Sequence, residues 1–283
     1  MTIREPLLGS LNQGSLFCCA KAERYDGCQV YGVVLTARCD LDQEKYNVLN
    51  YAPVVSLEDW LKMDGYELIV ARISADLKSR IDSAVKNIDL PQSILNSQNL
   101  KSILEIYIRA IDADPKIKKS EDKFVDLIKR TEDLARWRNG WDIENCDMFA
   151  SSEQTVSKVI AELIHQKLAG YYFLPRIEIG ADETGFVVLL REINHLPRPL
   201  ALLIAGGVEA ENTQLKANTE WLANVDFKHL DFAMPVSEIT SPSVEHLLQT
   251  FSHLFGRIGL PDPQKTLVDT LCRVRPLAIE VSQ

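Results

Sequence analysis

The sequence predicts an α+β protein in which a small β-barrel is split by a block of helices. Three observations predict it. β-rich runs fill the first 56 residues and return at Tyr171, helical periodicity governs residues 57–170, and neither β half is long enough for a self-sufficient sheet. The halves are therefore expected to pair with each other. The divisions are 1–56 (first half of the barrel), 57–170 (helical insertion), 171–240 (second half) and 241–283 (C-terminal helix and tail).

In the first half, residues 13–22 read as a strand opened by Gly14, with Leu16, Cys18 and Ala20 on one face. Asp26-Gly27 signals a turn. Residues 30–55, VYGVVLTARCDLDQEKYNVLNYAPVV, hold an apolar strand over 32–35, a polar loop over 40–45 and a second strand over 46–55. Pro53 suits an edge or a strand end, because it cannot donate to a ladder.

Leu68, Ile69, Ile73, Leu77, Ile81, Val85 and Ile88 predict one amphipathic helix over 65–88. Pro91 opens a second, lined by Ile94, Leu95, Ile103, Leu104, Tyr107, Ile108 and Ile111 and ended by Asp114-Pro115. A third covers 120–138, carrying Phe124, Leu127, Ile128 and Leu134, with Gly140 as its stop. A fourth starts at Ser151, with Gln154 completing a capping box, and runs to Gly170. Short connections predict an antiparallel bundle. Strands are then expected at 171–174, 176–179, 186–193, 200–204 and 230–236, with a loop and short helix over 212–225. Residues 243–258 read as an amphipathic helix striped by Val244, Leu247, Leu248, Phe251, Leu254 and Phe255.

Of 283 residues, 46% are hydrophobic and 25% charged, the composition of a soluble globular protein with a real core. The net charge of −9 disfavours nucleic acid, which needs a basic surface to displace counterions. No run approaches the ~20 apolar residues of a membrane span, and MTIREPLLGS lacks the apolar stretch of a signal peptide. Six irregularly spaced cysteines suit a reducing compartment. The expectation is a cytoplasmic protein with no membrane association and no cofactor.

The end of the first apolar strand presents Thr36, Arg38, Cys39 and Asp40 in quick succession. A guanidinium there suits an anionic group, and Asp40 or Cys39 suits a base or nucleophile. The competing reading makes Cys39 an inward-facing core residue and Asp40 a turn former. Cys18, Cys19, Cys28 and Cys39 lie close in sequence, but without a C-x₂₋₄-C pair. Adjacent Cys18 and Cys19 are expected on opposite faces of a strand, so no metal is expected. Cys146 and Cys272 are isolated. In the segment RTEDLARWRNGW, Trp137 and Trp141 stand at i, i+4, core or interface spacing, and nearby acids offset the arginines. Lys116, Lys118 and Lys119 suit a solvated turn. His246 and His253 share a helical face without a third ligand. Arg191, Glu192, His195 and Arg198 form a second constellation, on a turn between barrel strands. Candidate catalytic residues are thus Thr36, Arg38, Asp40 and His195, and candidate ligand-binding residues are Arg38, Cys39, Asp40 and Arg191.

Gln13-Gly14-Ser15-Leu16-Phe17, Val33-Val34-Leu35-Thr36 and Ala52-Pro53-Val54 resemble the strand motifs of the PemK/MazF-like toxin family. The resemblance implies an SH3-like β-barrel, here interrupted by a helical-bundle insertion and followed by a C-terminal amphipathic helix. It also places Thr36 at the hydroxyl position near the phosphate that these ribonucleases cleave. Tyr31-Gly32 stands where the family carries Arg-Pro. The strand end Leu35-Thr36-Ala37-Arg38-Cys39-Asp40-Leu41 and the segment SPSVEHLLQTFSHLFGRIGLP, residues 241–261, are similar to a family of uncharacterised bacterial proteins, which implies no activity. The expectation is a non-enzymatic sensing or adaptor protein, with the barrel as recognition module and the helices docking a protein partner or a second copy. The alternative is a phosphate-handling enzyme in which Arg38 stabilises phosphate charge while Asp40 or His195 moves a proton.

Overall fold

The structure is a computed structural model that describes residues 3–110, 113–142 and 145–256. Short apolar runs from both ends of the chain build one curled antiparallel sheet. Before the long helices come β1 (Ile3–Arg4), β2 (Ser15–Cys18), β3 (Tyr31–Val34) and β4 (Val48–Ser56). After them come β5 (Tyr171–Leu174), β6 (Phe186–Leu189), β7 (Asn194–Pro197), β8 (Val208–Glu209), β9 (Phe232–Ala233) and β10 (Pro235–Ile239). The eight-stranded sheet runs β1-β10-β2-β3-β4-β6-β5, with β7 also on β4, and β8 pairs with β9 separately. β4 pairing with β6 and β7, and β2 with β10, unites segments that the helices separate in sequence. The result is a half-barrel.

The helices are α1 (Arg38–Asp42), α2 (Leu57–Lys62), α3 (Asp64–Lys86), α4 (Leu100–Ile103), α5 (Pro115–Lys118), α6 (Glu121–Trp137), α7 (Asp147–Ser151), α8 (Glu153–Ile164), α9 (Arg198–Gly206), α10 (Thr213–Ala217) and α11 (Ser243–Phe255). Ser56 ends β4 and starts α2 at once: its Oγ accepts the Asp59 N–H at 3.0 Å, satisfying a donor that the first turn leaves orphaned. α3 packs against α6 and α8. Ile69, Leu77, Val85, Phe124, Leu127, Val159 and Leu163 are buried and belong to a core continuous with that of the sheet. No described helix is long and apolar enough to cross a membrane.

Several local expectations are corrected. The strand expected at 200–204 is part of α9. A five-residue apolar run suits either state, but Pro199 in the first turn and a run of Leu and Ala favour helix. Residues 176–179 form no strand, although Ile177 is buried and its carbonyl accepts the Ser237 hydroxyl. The loop expected at 40–45 begins as α1, because the strand stops at Val34. The second helix is broken into a 3₁₀ turn (Gln92–Asn96), α4 and a π-helical turn (Leu104–Ile108). Ser151 closes α7 rather than capping α8, so the capping box does not form. α6 ends at Trp137. Trp141 therefore lies beyond it, half-buried, and packs against the core edge-on to Tyr66 and tilted to Phe149. Ile111, Cys272 and residues 257–261 of the C-terminal motif lie outside the described residues.

Candidate functional site

Pro53 does not sit at an edge: β4 lies inside the sheet. On one side of it runs β3, where the Leu35 N–H bonds the Asn50 carbonyl at 2.9 Å. Counting along the register from that bond, Gly32 and Pro53 are opposed without exchanging hydrogen bonds. The missing N–H of Pro53 therefore faces the other side, and there the partner changes. β7 pairs with β4 from Val48 to Tyr51, and β6 pairs from Val54 to Ser56. Three steps along β4, from Tyr51 to Val54, correspond to six along its partner, from Asn194 back to Val188. The surplus leaves the ladder as an excursion over residues 190–193, in the manner of an enlarged bulge. A strand can depart there because Pro53 has no donor to leave unpaired.

Gly170 holds the base of this excursion. Its carbonyl accepts the Leu190 N–H at 2.9 Å, and a Cβ on it would lie 2.5 Å from the Arg191 Nε. With φ near +96°, the position suits glycine on both counts. Arg191 and Glu192 thus line a polar cleft of about 670 Å³, with His195 beside them on β7.

The wall of the cleft is hydrogen-bonded to itself. The Asn194 Nδ2 donates to the Lys21 carbonyl and to the Glu192 Oε1, each at 3.0 Å, and the same Oε1 accepts the Glu23 N–H at 2.8 Å. The Tyr51 hydroxyl accepts the Lys21 N–H at 3.3 Å. Burial pushes that hydroxyl up to about 12, so it stays neutral. Lys21 gives its ammonium to the Leu222 carbonyl, and Asp26 pairs with Lys228. Among the described residues, the side chains of Arg191 and His195 make no hydrogen bond or ion pair. The lining also carries Glu23, Asp26, Glu192 and Asp226, so the two unengaged side chains suit an acceptor group on a small polar ligand, held on the Arg191 side of the cleft.

The constellation at the end of β3 does not assemble. The Thr36 hydroxyl is nearly buried and accepts the Asn50 N–H at 2.7 Å, extending the β3–β4 ladder. The chain then turns into α1, none of whose residues is buried. Cys39, expected to face inward, is instead exposed, its Sγ 3.9 Å from the Asp40 Oδ1. Asp40 is exposed as well. Arg38 stands at a second pocket of about 450 Å³, with Arg4, Asn12, Asp42, Glu238 and Glu245. Arg191 and His195 therefore share one cavity and Arg38 lines another.

Cys18 and Cys19 also depart from expectation. Cys19 adopts a left-handed φ of 61°, which brings both thiols to one side. The two Sγ atoms lie 3.3 and 3.6 Å from the same Phe232 carbonyl. The Cys19 thiol, hydrogen-bonded to Cys18, lowers the Cys18 thiol to about 7, and its own is pushed up for the same reason and by burial. Among the described residues, no three His, Cys, Asp or Glu side chains are grouped to hold a metal ion.

Sequence reasoning missed Lys21, Tyr51, Asn194 and Glu238. A proline within an otherwise apolar strand was the available signal for the first three, since it marks where a neighbour can leave. Compared with protein-family models, curated proteins and solved structures, the chain matches none.

Proposed function

We propose that the protein is a non-enzymatic recognition or sensing protein. The half-barrel binds a small anionic ligand in the cleft beside Pro53, and the helices dock a protein partner or a second copy. The single observation that carries this reading is the excursion of residues 190–193, which sets Arg191 beside His195 of β7, both unengaged among the described residues, over a wall already hydrogen-bonded into place. Such preorganisation lowers the ordering cost of binding. In this reading the sheet is an SH3-like barrel, and residues 57–170 are its insertion. Exposed Ile106, Tyr107, Val125 and Ile164 on the helices supply apolar contacts for the partner. Of the strand-end residues that resemble the bacterial family, Arg38 to Leu41 lie on α1, and Arg38 lines the second pocket.

The competing reading, a PemK/MazF-like ribonuclease using Thr36, Arg38, Asp40 and His195, has less support. The Thr36 hydroxyl is engaged by the Asn50 N–H, and His195 and Arg38 line different cavities. Titration with phosphate and with acetate, followed by amide NMR, tests the proposal. Saturable shifts at Lys21, Asn194 and His195, lost in Arg191→Ala, are expected. Cleavage of single-stranded RNA that disappears in a folded Arg38→Ala variant would instead establish the enzyme.

A further inference from the structure

The cleft beside Pro53 carries more negative charge than the reception of an anionic group explains. Its four carboxylates stand against two cationic side chains, Lys21 and Arg191. Lys21 is committed to the Leu222 carbonyl, and both Asp26 and Asp226 pair with Lys228, the latter at 3.7 Å. Arg191, Glu192 and Glu23 remain. Arg191 and Glu192 are sequence neighbours of opposite charge, yet among the described residues they form no ion pair with each other. Each is held elsewhere. Arg191 lies over Gly170, and the Oε1 of Glu192 accepts from the Asn194 Nδ2 and the Glu23 N–H. The second oxygen of Glu192, Oε2, has no partner among the described residues and is open to solvent. Glu23 is exposed, and its carboxylate is likewise unengaged among them.

Building on the reading in which Arg191 and His195 receive an anionic group, we infer that the ligand of this cleft is a small zwitterion of the amino-acid type, its carboxylate received by Arg191 and its ammonium by Glu192 and Glu23. A purely anionic ligand adds charge to a lining that is already net negative, whereas a zwitterion adds none. The guanidinium offers parallel donors to a carboxylate, and an ammonium donates its protons one by one to separate oxygens. Those oxygens are the Oε2 of Glu192 and the carboxylate of Glu23. Neither contact asks the wall to let go, because Asn194 and the Glu23 N–H are bonded to the other oxygen, Oε1. The opposite charges already stand apart, so the ligand has no internal ion pair to break.

Three molecules of like size read the two ends separately. L-alanine carries both charges, propionate lacks the ammonium, and n-propylamine lacks the carboxylate. Each is titrated into the full-length protein near neutral pH and followed by amide NMR at Lys21, Glu23, Asn194 and His195. L-alanine should bind at least about tenfold more tightly than propionate, and n-propylamine should give no saturable shift at these amides. Arg191→Ala should abolish binding of L-alanine. Glu192→Gln keeps an oxygen for the Asn194 and Glu23 donors but removes the charge, so it should bring L-alanine down to the affinity of propionate. Glu23→Gln, at an exposed position, should narrow the same preference, and it decides the matter if Glu192→Gln does not fold. Propionate binding as tightly as L-alanine would overturn the zwitterion and leave the anionic reading of the cleft standing, as would a deciding variant that keeps the full preference. Binding of n-propylamine as tight as that of L-alanine would also overturn it. An absence of saturable shifts with L-alanine, propionate, phosphate and acetate alike would overturn both.

Discussion

Gly32→Ala is expected to destabilise the protein through one close approach. A Cβ at position 32 would lie 2.5 Å from the Phe17 Cε1 and 2.9 Å from the Tyr51 Cδ2. Carbon atoms in contact prefer about 3.5–4.0 Å, so the methyl intrudes by ~1 Å on one ring and rather less on the other. Neither ring can retreat. Phe17 and Tyr51 are fully buried and meet edge to face at 5.1 Å, and β3 is held by ladders on both sides. Overpacking of this kind costs about 1–3 kcal/mol, and two fixed rings place the expected loss at about 2–3 kcal/mol. Urea unfolding measures it, with Gly206→Ala as control. A methyl on that glycine would meet nothing within 4 Å, and its alanine should change stability by no more than about 1 kcal/mol, upward. Because the Tyr51 hydroxyl holds the Lys21 N–H, the amide signal of Lys21 should move as well. A Gly32→Ala protein as stable as the Gly206→Ala control would refute the reasoning.

Three further outcomes are expected. The backbone N–H and carbonyl of Phe173, on the outer strand β5, are both bonded at 2.9 Å by the amide of Gln166. Gln166→Ala should therefore open this edge and raise self-association, seen as a larger mass in light scattering; an unchanged monomer fraction would count against it. Burial pushes the hydroxyls of Tyr31, Tyr51, Tyr66 and Tyr171 up to about 12, from an ordinary value of 10.0. The folded state holds these protons more tightly than the unfolded chain, so the stability they confer is intact below pH 10 and lost as pH rises towards about 12. Phenolate absorbance and circular dichroism should then change together; ionisation near pH 10 with the fold retained would contradict the burial. Thr36→Val should cost about 0.5–1.5 kcal/mol in urea unfolding by removing the acceptor for the Asn50 N–H, and should leave phosphate binding in the cleft intact.

The long helices were legible because α3, α6 and α11 repeat apolar residues over several turns, a signal that short segments lack. α9 was misread for that reason, its apolar run being too short to distinguish a strand from a helix. α1 was hidden differently: Arg38, Asp40 and Asp42 leave no apolar face, and only the chain's departure from the sheet makes a helix there. Arg191 and His195 could be picked out as chemistry-bearing residues on a turn. Their cleft could not, because it depends on the register of β4 against strands that follow the entire helical block. Glu238 was invisible for the same reason, since its strand pairs with β1 and β2 from the other end of the chain.

The Pro53 excursion also ties what keeps the sheet aligned to what faces the cleft, because Tyr51 and Asn194 do both. The Tyr51–Asn194 and Val54–Val188 pairs anchor their ladders separately, one on each side of it. Within the segment between them Leu190 is buried and Glu192 is bonded to Asn194, so Arg191 and Ile193 are the positions open to exchange. Changing the charge at Arg191 or the bulk at Ile193 alters what the cleft presents while leaving the core in place, as a rigid scaffold allows its connecting segments. Those two side chains are therefore the natural ones to redesign for a different ligand.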